Sequence, residues 1–347
     1  SIKLDETGTL ASTISMSGGV LDANNSLTVS GALSHSADIT IDVASGKILT
    51  YSGATVGVGA NTLTLSGGGT LSNTYNLVLN NVNSKLLLNS ITVDSVSTSA
   101  DSSSGGLDVD NDSTVSSLSV AHITPVSIAA NKTLSGAITV TAGSIKLTET
   151  GTLASSVSMN GGTLDADNSL TVSGALSQSG NITIDVATGK ILTYTGTYLD
   201  LGANTLTLSG GGRLSNTNAL VLNNGISKIL LNSITVDSVI TAINCQSLNC
   251  YNLGLDVNAD STVMSLSIAN VTPISIAAGK TLFGSITVTG GLLNLTETGT
   301  LASNVSMGYE SILDVDESMT VSGELIQSGI TIDVADNKTL TYSGAAI

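Results

Sequence analysis

The densest group of chemistry-bearing side chains is the string "LDVDNDS" (107–113), which carries Asp108, Asp110 and Asp112. In an extended backbone alternate side chains point the same way, so the three carboxylates share one side and offer the oxygen ligands of a hard cation such as Ca²⁺. Related strings begin at Leu21 and Leu164. They lie too far along the chain to share one ion, and the Gly/Asp nonapeptide of calcium-binding rolls is missing. The cluster therefore reads either as a local Ca²⁺ site or as solvated turn residues.

Cys245 and Cys250 are the two cysteines of the chain, five positions apart. Zinc wants four ligands, and no His or further Cys stands nearby. The pair is therefore expected to form a disulfide, closing a short loop that is worth at most ~2–3 kcal/mol of chain entropy. His35 and His122 have no motif around them, and Gln178 and Asn270 replace them in related strings, which fits surface polar positions. Polysaccharide-cleaving chemistry needs paired carboxylates, often with a nearby cation, in an aromatic-lined groove. Here Lys and Arg are scattered and Phe283 is the lone Phe, so no catalytic residues and no enzyme are expected. Tyr51, Tyr194 and Tyr342 occupy equivalent places, which suits packing under a turn. Thr-x-Thr pairs at Thr62/Thr64, Thr139/Thr141 and Thr205/Thr207 resemble the outward rows of ice-binding solenoids, although Lys, Tyr, Asn and Asp interrupt them.

What must position these residues is set by composition. The chain has 347 residues, 2% aromatic and 10% charged, with no Trp. A core without rings has to be filled by Val, Ile, Leu and Ala, which suits a narrow interior. The formal net charge is −16 with ten basic residues, among them a single Arg, Arg213. Nucleic acid is excluded as a partner, because phosphate neutralisation needs clustered cations. Mean hydropathy is positive, yet apolar runs reach only about four residues, as in "ALVL" (219–222), against the ~20 that span a bilayer. Membrane insertion is not expected. The start "SIKLDETGTL" has neither an initiator Met nor a secretion signal, as in a mature, processed or partial chain.

Internal repetition is extensive. "SIKLDETGTLASTISMSGG" at Ser1 returns as "SIKLTETGTLASSVSMNGG" at Ser144, and "LNLTETGTLASNVSMG" opens a third copy. The offsets are 143 and 148, and the five extra residues fall in "VITAINCQSLNCYNLG" (239–254), which carries both cysteines. The organisation expected is repeat 1 over 1–143, repeat 2 over 144–291 with an inserted Cys loop at 240–253, and a partial repeat 3 over 292–347, all in one continuous solenoid. Insertions of this kind are tolerated as loops on the outside of a regular stack.

Each copy is itself periodic. Leu27-Thr28-Val29, Leu63-Thr64-Leu65 and Ile138-Thr139-Val140 alternate apolar and polar residues, the pattern of strands buried on one face, and Asn, Gly, Asp and Ser cluster between them. No segment shows a helical stripe. Many short strands in an extendable repeat predict an all-β fold, a parallel β-solenoid. With ~18–24 residues per coil the chain makes about 17 coils.

The strings "NTLTLSGGGTLSNT" (61–74), "NTLTLSGGGRLSNT" (204–217) and "ANKTLSGAITVTAG" (130–143) resemble the passenger regions of bacterial autotransporters and filamentous-haemagglutinin-like exoproteins. That resemblance implies a secreted, acidic β-helix at the cell surface, acting as an adhesin or structural filament. The translocating barrel and secretion motif of those families are absent from this sequence. The last residues, "KTLTYSGAAI" (338–347), match 47–56, so the array stops partway through its third copy. This predicts a segment of a longer array, or subunits that stack end to end or side by side. The expected function is therefore a non-enzymatic extracellular fibre, with a receptor-binding adhesin and an ice-binding solenoid as alternatives. The expected partner is the chain itself, or surface and matrix components.

Overall fold

In the computed structural model, which describes residues 1–241, 254–327 and 329–345, every regular element is a β-strand, and every pairing between named strands is parallel. The fold is a parallel β-solenoid, as the alternation required. One circuit is clearest around residue 50. Ile39–Val43 forms the first side, a tight turn leads to Ile48–Tyr51 on the second, and Val56–Gly57 makes a short third side. The chain then returns to the first side at Thr62–Ser66, one coil along. Leu63 pairs with Leu86, Leu86 with Leu107 and Leu107 with Val126, each on the next coil.

The alternation of the sequence becomes inside and outside. Leu63, Leu65, Leu86 and Leu88 are fully buried and stack on like residues above and below, while Thr62, Thr64 and Lys85 between them face outward. A core of stacked aliphatic side chains needs no rings, which is why 2% aromatic residues suffice.

The chain divides into two compact units, Ser1–Gly174 and Ala175–Ile347. Among the described residues the first has nine first-side strands and the second has eight, in keeping with the coil count expected from the repeat. Circuit length runs from 19 residues, Ile2 to Leu21, to 26, Ile229 to Leu255. The 26-residue circuit carries the insertion. Lys228 still pairs with Gly254 and Leu231 with Val257, as Lys85 pairs with Gly106 and Leu88 with Val109 in the first repeat. Five extra residues thus leave the ladder in register. Cys245, Cys250 and most of the loop expected at 240–253 lie outside the described residues.

Not every coil has three separate strands. On several coils the second and third sides merge into a single strand of seven or eight residues, such as Thr92–Thr98, Ser113–Val120 and Ser261–Ile268. The corner there is a bulge within a strand rather than a turn. The register shifts between Val115 and Leu118 against the coil that follows, and likewise between Val263 and Leu266.

Candidate functional site

The most distinctive surface feature is a notch that occurs twice, once in each unit, and its origin is a counting irregularity. From the last inward residue of the first side to the first inward residue of the second takes an even number of steps on most coils, six from Leu65 to Leu71, Val109 to Val115 and Ile128 to Leu134, and four from Ala23 to Leu27, Ala166 to Leu170 and Val315 to Met319. On one coil of each long repeat it takes five: Leu88 to Val93, and Leu231 to Val236. An odd count breaks the inside–outside alternation that the even corners preserve. Ser90 and Ser233 lie at these corners in left-handed backbone conformations, φ 55° and 56°, as Asn131 does at a six-step corner with φ 60°. Such a φ is costly for a residue with a Cβ, on the order of 1 kcal/mol, and the surrounding coils must hold it in place. Ile91 and Ile234 fill the tightened corner from inside.

The shortened corner recedes between longer neighbours and leaves a cavity of about 310 Å³ in the first unit and about 260 Å³ in the second. One wall is bare backbone, Gly68–Gly69 or Gly211–Gly212. Glycine is required beside it for close approach: a Cβ on Gly69 would lie 2.5 Å from the Ala44 carbonyl oxygen, and one on Gly212 2.5 Å from that of Ala187. The opposite wall carries Asp112, Ser113 and Thr114 in the first notch and Asp260, Ser261 and Thr262 in the second.

Much of this polar rim is committed. Asp112 Oδ1 accepts the Thr133 amide at 2.8 Å, and Asp260 Oδ1 accepts the Thr281 amide at 2.8 Å. The Ser113 hydroxyl donates to the Asn111 carbonyl and accepts the Ile91 amide, and Ser261 repeats the arrangement with Ala259 and Ile234. Among the described residues no hydrogen bond reaches the other Asp260 oxygen or the hydroxyls of Thr235 and Thr262.

The two notches differ at two outward positions of one column. In the first unit this column reads Thr70, Thr92, Thr114, Ser135; in the second it reads Arg213, Thr235, Thr262, Phe283. Phe283 is 44% exposed and lines the second notch where Ser135 lines the first. Arg213 does not line it. Its guanidinium is held by Asp237, Nε to Oδ1 at 2.7 Å and a terminal nitrogen to Oδ2 at 3.0 Å, and Asp237 also accepts the Ser215 hydroxyl. That carboxylate keeps Arg213 protonated more firmly than an ordinary arginine.

The three aspartates singled out from sequence are divided among separate tasks. Asp108 is ion-paired with Lys85 on the preceding coil, Asp110 is exposed, and Asp112 caps Thr133 at the notch. Among the described residues no three His, Cys, Asp or Glu side chains converge as a metal set. The tyrosines sit under turns as their equivalence predicted: Tyr51 Oη accepts the Leu33 and Ala54 amides, Tyr194 Oη the Leu176 amide and Tyr342 Oη the Leu325 amide. His35 is half-buried, with Nδ1–H donating to the Ala37 carbonyl, and Gln178 in its place donates to the Leu201 carbonyl. His122 lies 3.8 Å from Asp101. The Thr-x-Thr pairs face outward, but Thr62 stacks on Lys85 and Thr64 on Leu87, with the same pattern at Thr205 and Thr207.

No family model matches the chain. No curated protein and no solved structure shows significant similarity to it.

Proposed function

We propose that the chain is a non-enzymatic structural solenoid working outside a bacterial cell, as a length of surface filament, sheath or adhesin stalk. The observation that carries this reading is the direction of its polar cross-links. Lys85–Asp108, Lys146–Asp165, Arg213–Asp237, Lys228–Asp256 and Lys338–Glu317 each join one coil to the next, as do Ser72–Asp94 and Ser127–Thr148. They run parallel to the backbone ladder and reinforce the same contacts. A stack in which every coil touches only its neighbours carries load through those interfaces, and it lengthens by copying coils. The acidic, hydroxyl-rich exterior keeps such an object dispersed, or lets cations bridge copies of it.

Single exposed ion pairs add little to thermodynamic stability, between 0 and about 1 kcal/mol each. Their value here lies in repetition along one direction. The extracellular placement, the bacterial source and self-association end to end or side by side rest on composition and on the resemblance to secreted β-helical exoproteins.

Single-molecule extension of the chain between its termini tests the mechanical part. The expected trace is a series of force peaks spaced by one coil's contour length or small multiples of it, with Lys85→Ala and Asp108→Ala lowering the earliest peaks. Featureless extension at low force would remove the load-bearing role. Sedimentation across a concentration series, with and without Ca²⁺, tests self-association. A strictly monomeric species under both conditions would leave a stalk that is not a subunit of a fibre.

A further inference from the structure

Beyond a mechanical role, the second notch has the composition of a binding site. We propose that it holds a neutral carbohydrate chain, one sugar ring stacked on Phe283 and its hydroxyl groups taken up by Asp260, Thr235 and Thr262.

The cavity turns away several classes of ligand. Among the described residues no basic side chain lines it, the nearest guanidinium is turned to Asp237, and Asp260 contributes a negative charge. Anions are therefore repelled. A single carboxylate is too few ligands for a hard cation. The walls are hydroxyl groups and bare glycine backbone, so a purely apolar ligand would strand polar groups. What remains is a molecule with both an apolar face and a polar rim. A pyranose ring has this form, since its axial C–H bonds pack on the negative face of an aromatic ring while its equatorial hydroxyls point outward.

The components lie within reach of one another. Phe283 is the register partner of Thr262, and Thr262 of Thr235, so ring and hydroxyls form one column on adjacent coils. Asp260 is fixed to the strand of Phe283 by its bond to the Thr281 amide, which leaves its other oxygen for a charge-assisted bond from a sugar hydroxyl. The notch runs from Gly211–Gly212 across two coils to Phe283, roughly 14 Å at the usual strand spacing, enough for two or three linked sugars. Several large apolar side chains are left outward among the described residues, and Phe283, 44% exposed, is the one of them that lines a notch. Nothing in the packing of the coil requires it, because Ser135 occupies the equivalent place.

The first notch is a built-in control, with the same glycines, hydroxyls and aspartate but no ring. The chain has one Phe, so Phe labelled with ¹³C in the ring gives NMR signals from Phe283 alone. Titration of the full chain with cellotetraose, maltotetraose and the tetramer of N-acetylglucosamine is expected to shift those signals saturably for at least one of them. The midpoint should lie at about 1 mM, as suits one exposed ring and a few solvent-competed hydrogen bonds. Tetragalacturonate, which carries carboxylates, should leave them unmoved. F283S, which copies the first notch, should abolish saturation transfer from protein to glycan, and S135F should raise the stoichiometry from one site to two. The proposal is overturned if no neutral glycan shifts the ring at ten times that midpoint, if F283S still binds, if tetragalacturonate binds as well, or if S135F adds no site. Because the readout is local to Phe283, none of these outcomes depends on whether the chain bears load.

Discussion

Asn73 is a side chain doing the work of backbone, and removing it should loosen one corner of one coil. Thr70 and Leu71 pair with Thr92 and Val93, and pairing resumes only at Leu77 with Val96. Ser95 faces the gap between them. Asn73, 4% exposed, fills it: Nδ2 donates to the Ser95 carbonyl at 2.7 Å and the Tyr75 carbonyl at 2.9 Å, and Oδ1 accepts the Ser95 amide at 3.2 Å. Three bonds at about 1 kcal/mol each, in a place water reaches poorly, give about 3 kcal/mol for Asn73→Ala. If Ser95 exchanges its amide proton by local opening, that change means roughly 100-fold faster hydrogen exchange over residues 92–98. Asn216 makes the same three bonds to Ser238 and Asn218 in the second repeat, so the segment 235–241 is the internal standard. Asn73→Asp should be worse than Ala at neutral pH, since a carboxylate would then face two carbonyl oxygens. Exchange over 92–98 unchanged within threefold would show that the bonds contribute nothing net. Equal loosening of 92–98 and 235–241 would show that the loss is not local.

Asp314 is destabilised where it sits: burial first, then the charges of Asp316 and Asp333, push its pKa above the ordinary carboxylate value. Its proton is held more tightly in the folded chain, so the associated stability is fully present below the unfolded pKa of about 3.9 and is lost as pH rises through the folded value. Asn294 stands opposite Asp314 where Lys3 and Lys146 oppose Asp22 and Asp165; Asn294→Lys should lower the titration midpoint of Asp314 by NMR, and an unmoved midpoint would refute the pairing. Gly212→Ala would place a methyl 2.5 Å from the Ala187 oxygen and should cost about 2–4 kcal/mol in chemical denaturation, whereas at Gly189 a Cβ meets nothing within 4 Å and only its left-handed φ resists. Cys245 and Cys250 should gain two hydrogens in intact mass on reduction; two free thiols in the untreated chain would remove the expected disulfide.

The fold was legible because one signal governs it. Alternation in strings such as Leu63-Thr64-Leu65 sorts inside from outside, and the 143-residue offset shows that the same coil is written again. The merged strands at 92–98 and 113–120 were not legible, because Ser at a corner suits a bulge as well as a turn. Single residues fared unevenly for the same reason. The tyrosines were readable from their equivalence. The spread of Asp108, Asp110 and Asp112 was not, since alternation places three carboxylates on one side without saying that Lys85 holds the first and the next corner takes the third.

The notch shows how a surface feature can be present in a sequence and still be missed. Among the described residues, corners from the first side to the second take six or four steps from buried residue to buried residue, both even, and only Leu88 to Val93 and Leu231 to Val236 take the odd number five. Read along the chain, that slip resembles ordinary variation in a turn. It becomes informative only when inward residues are aligned coil by coil, and then it predicts a break in the inside–outside alternation and a recess between longer neighbours. The parity of "TLFGSITV" (281–288) contains the rest: Leu282 points in, so Phe283 must point out. The one Phe of a chain with few rings, placed outward beside a recessed corner, is poorly explained as core filling. Its position is better explained by something that settles on it from solution.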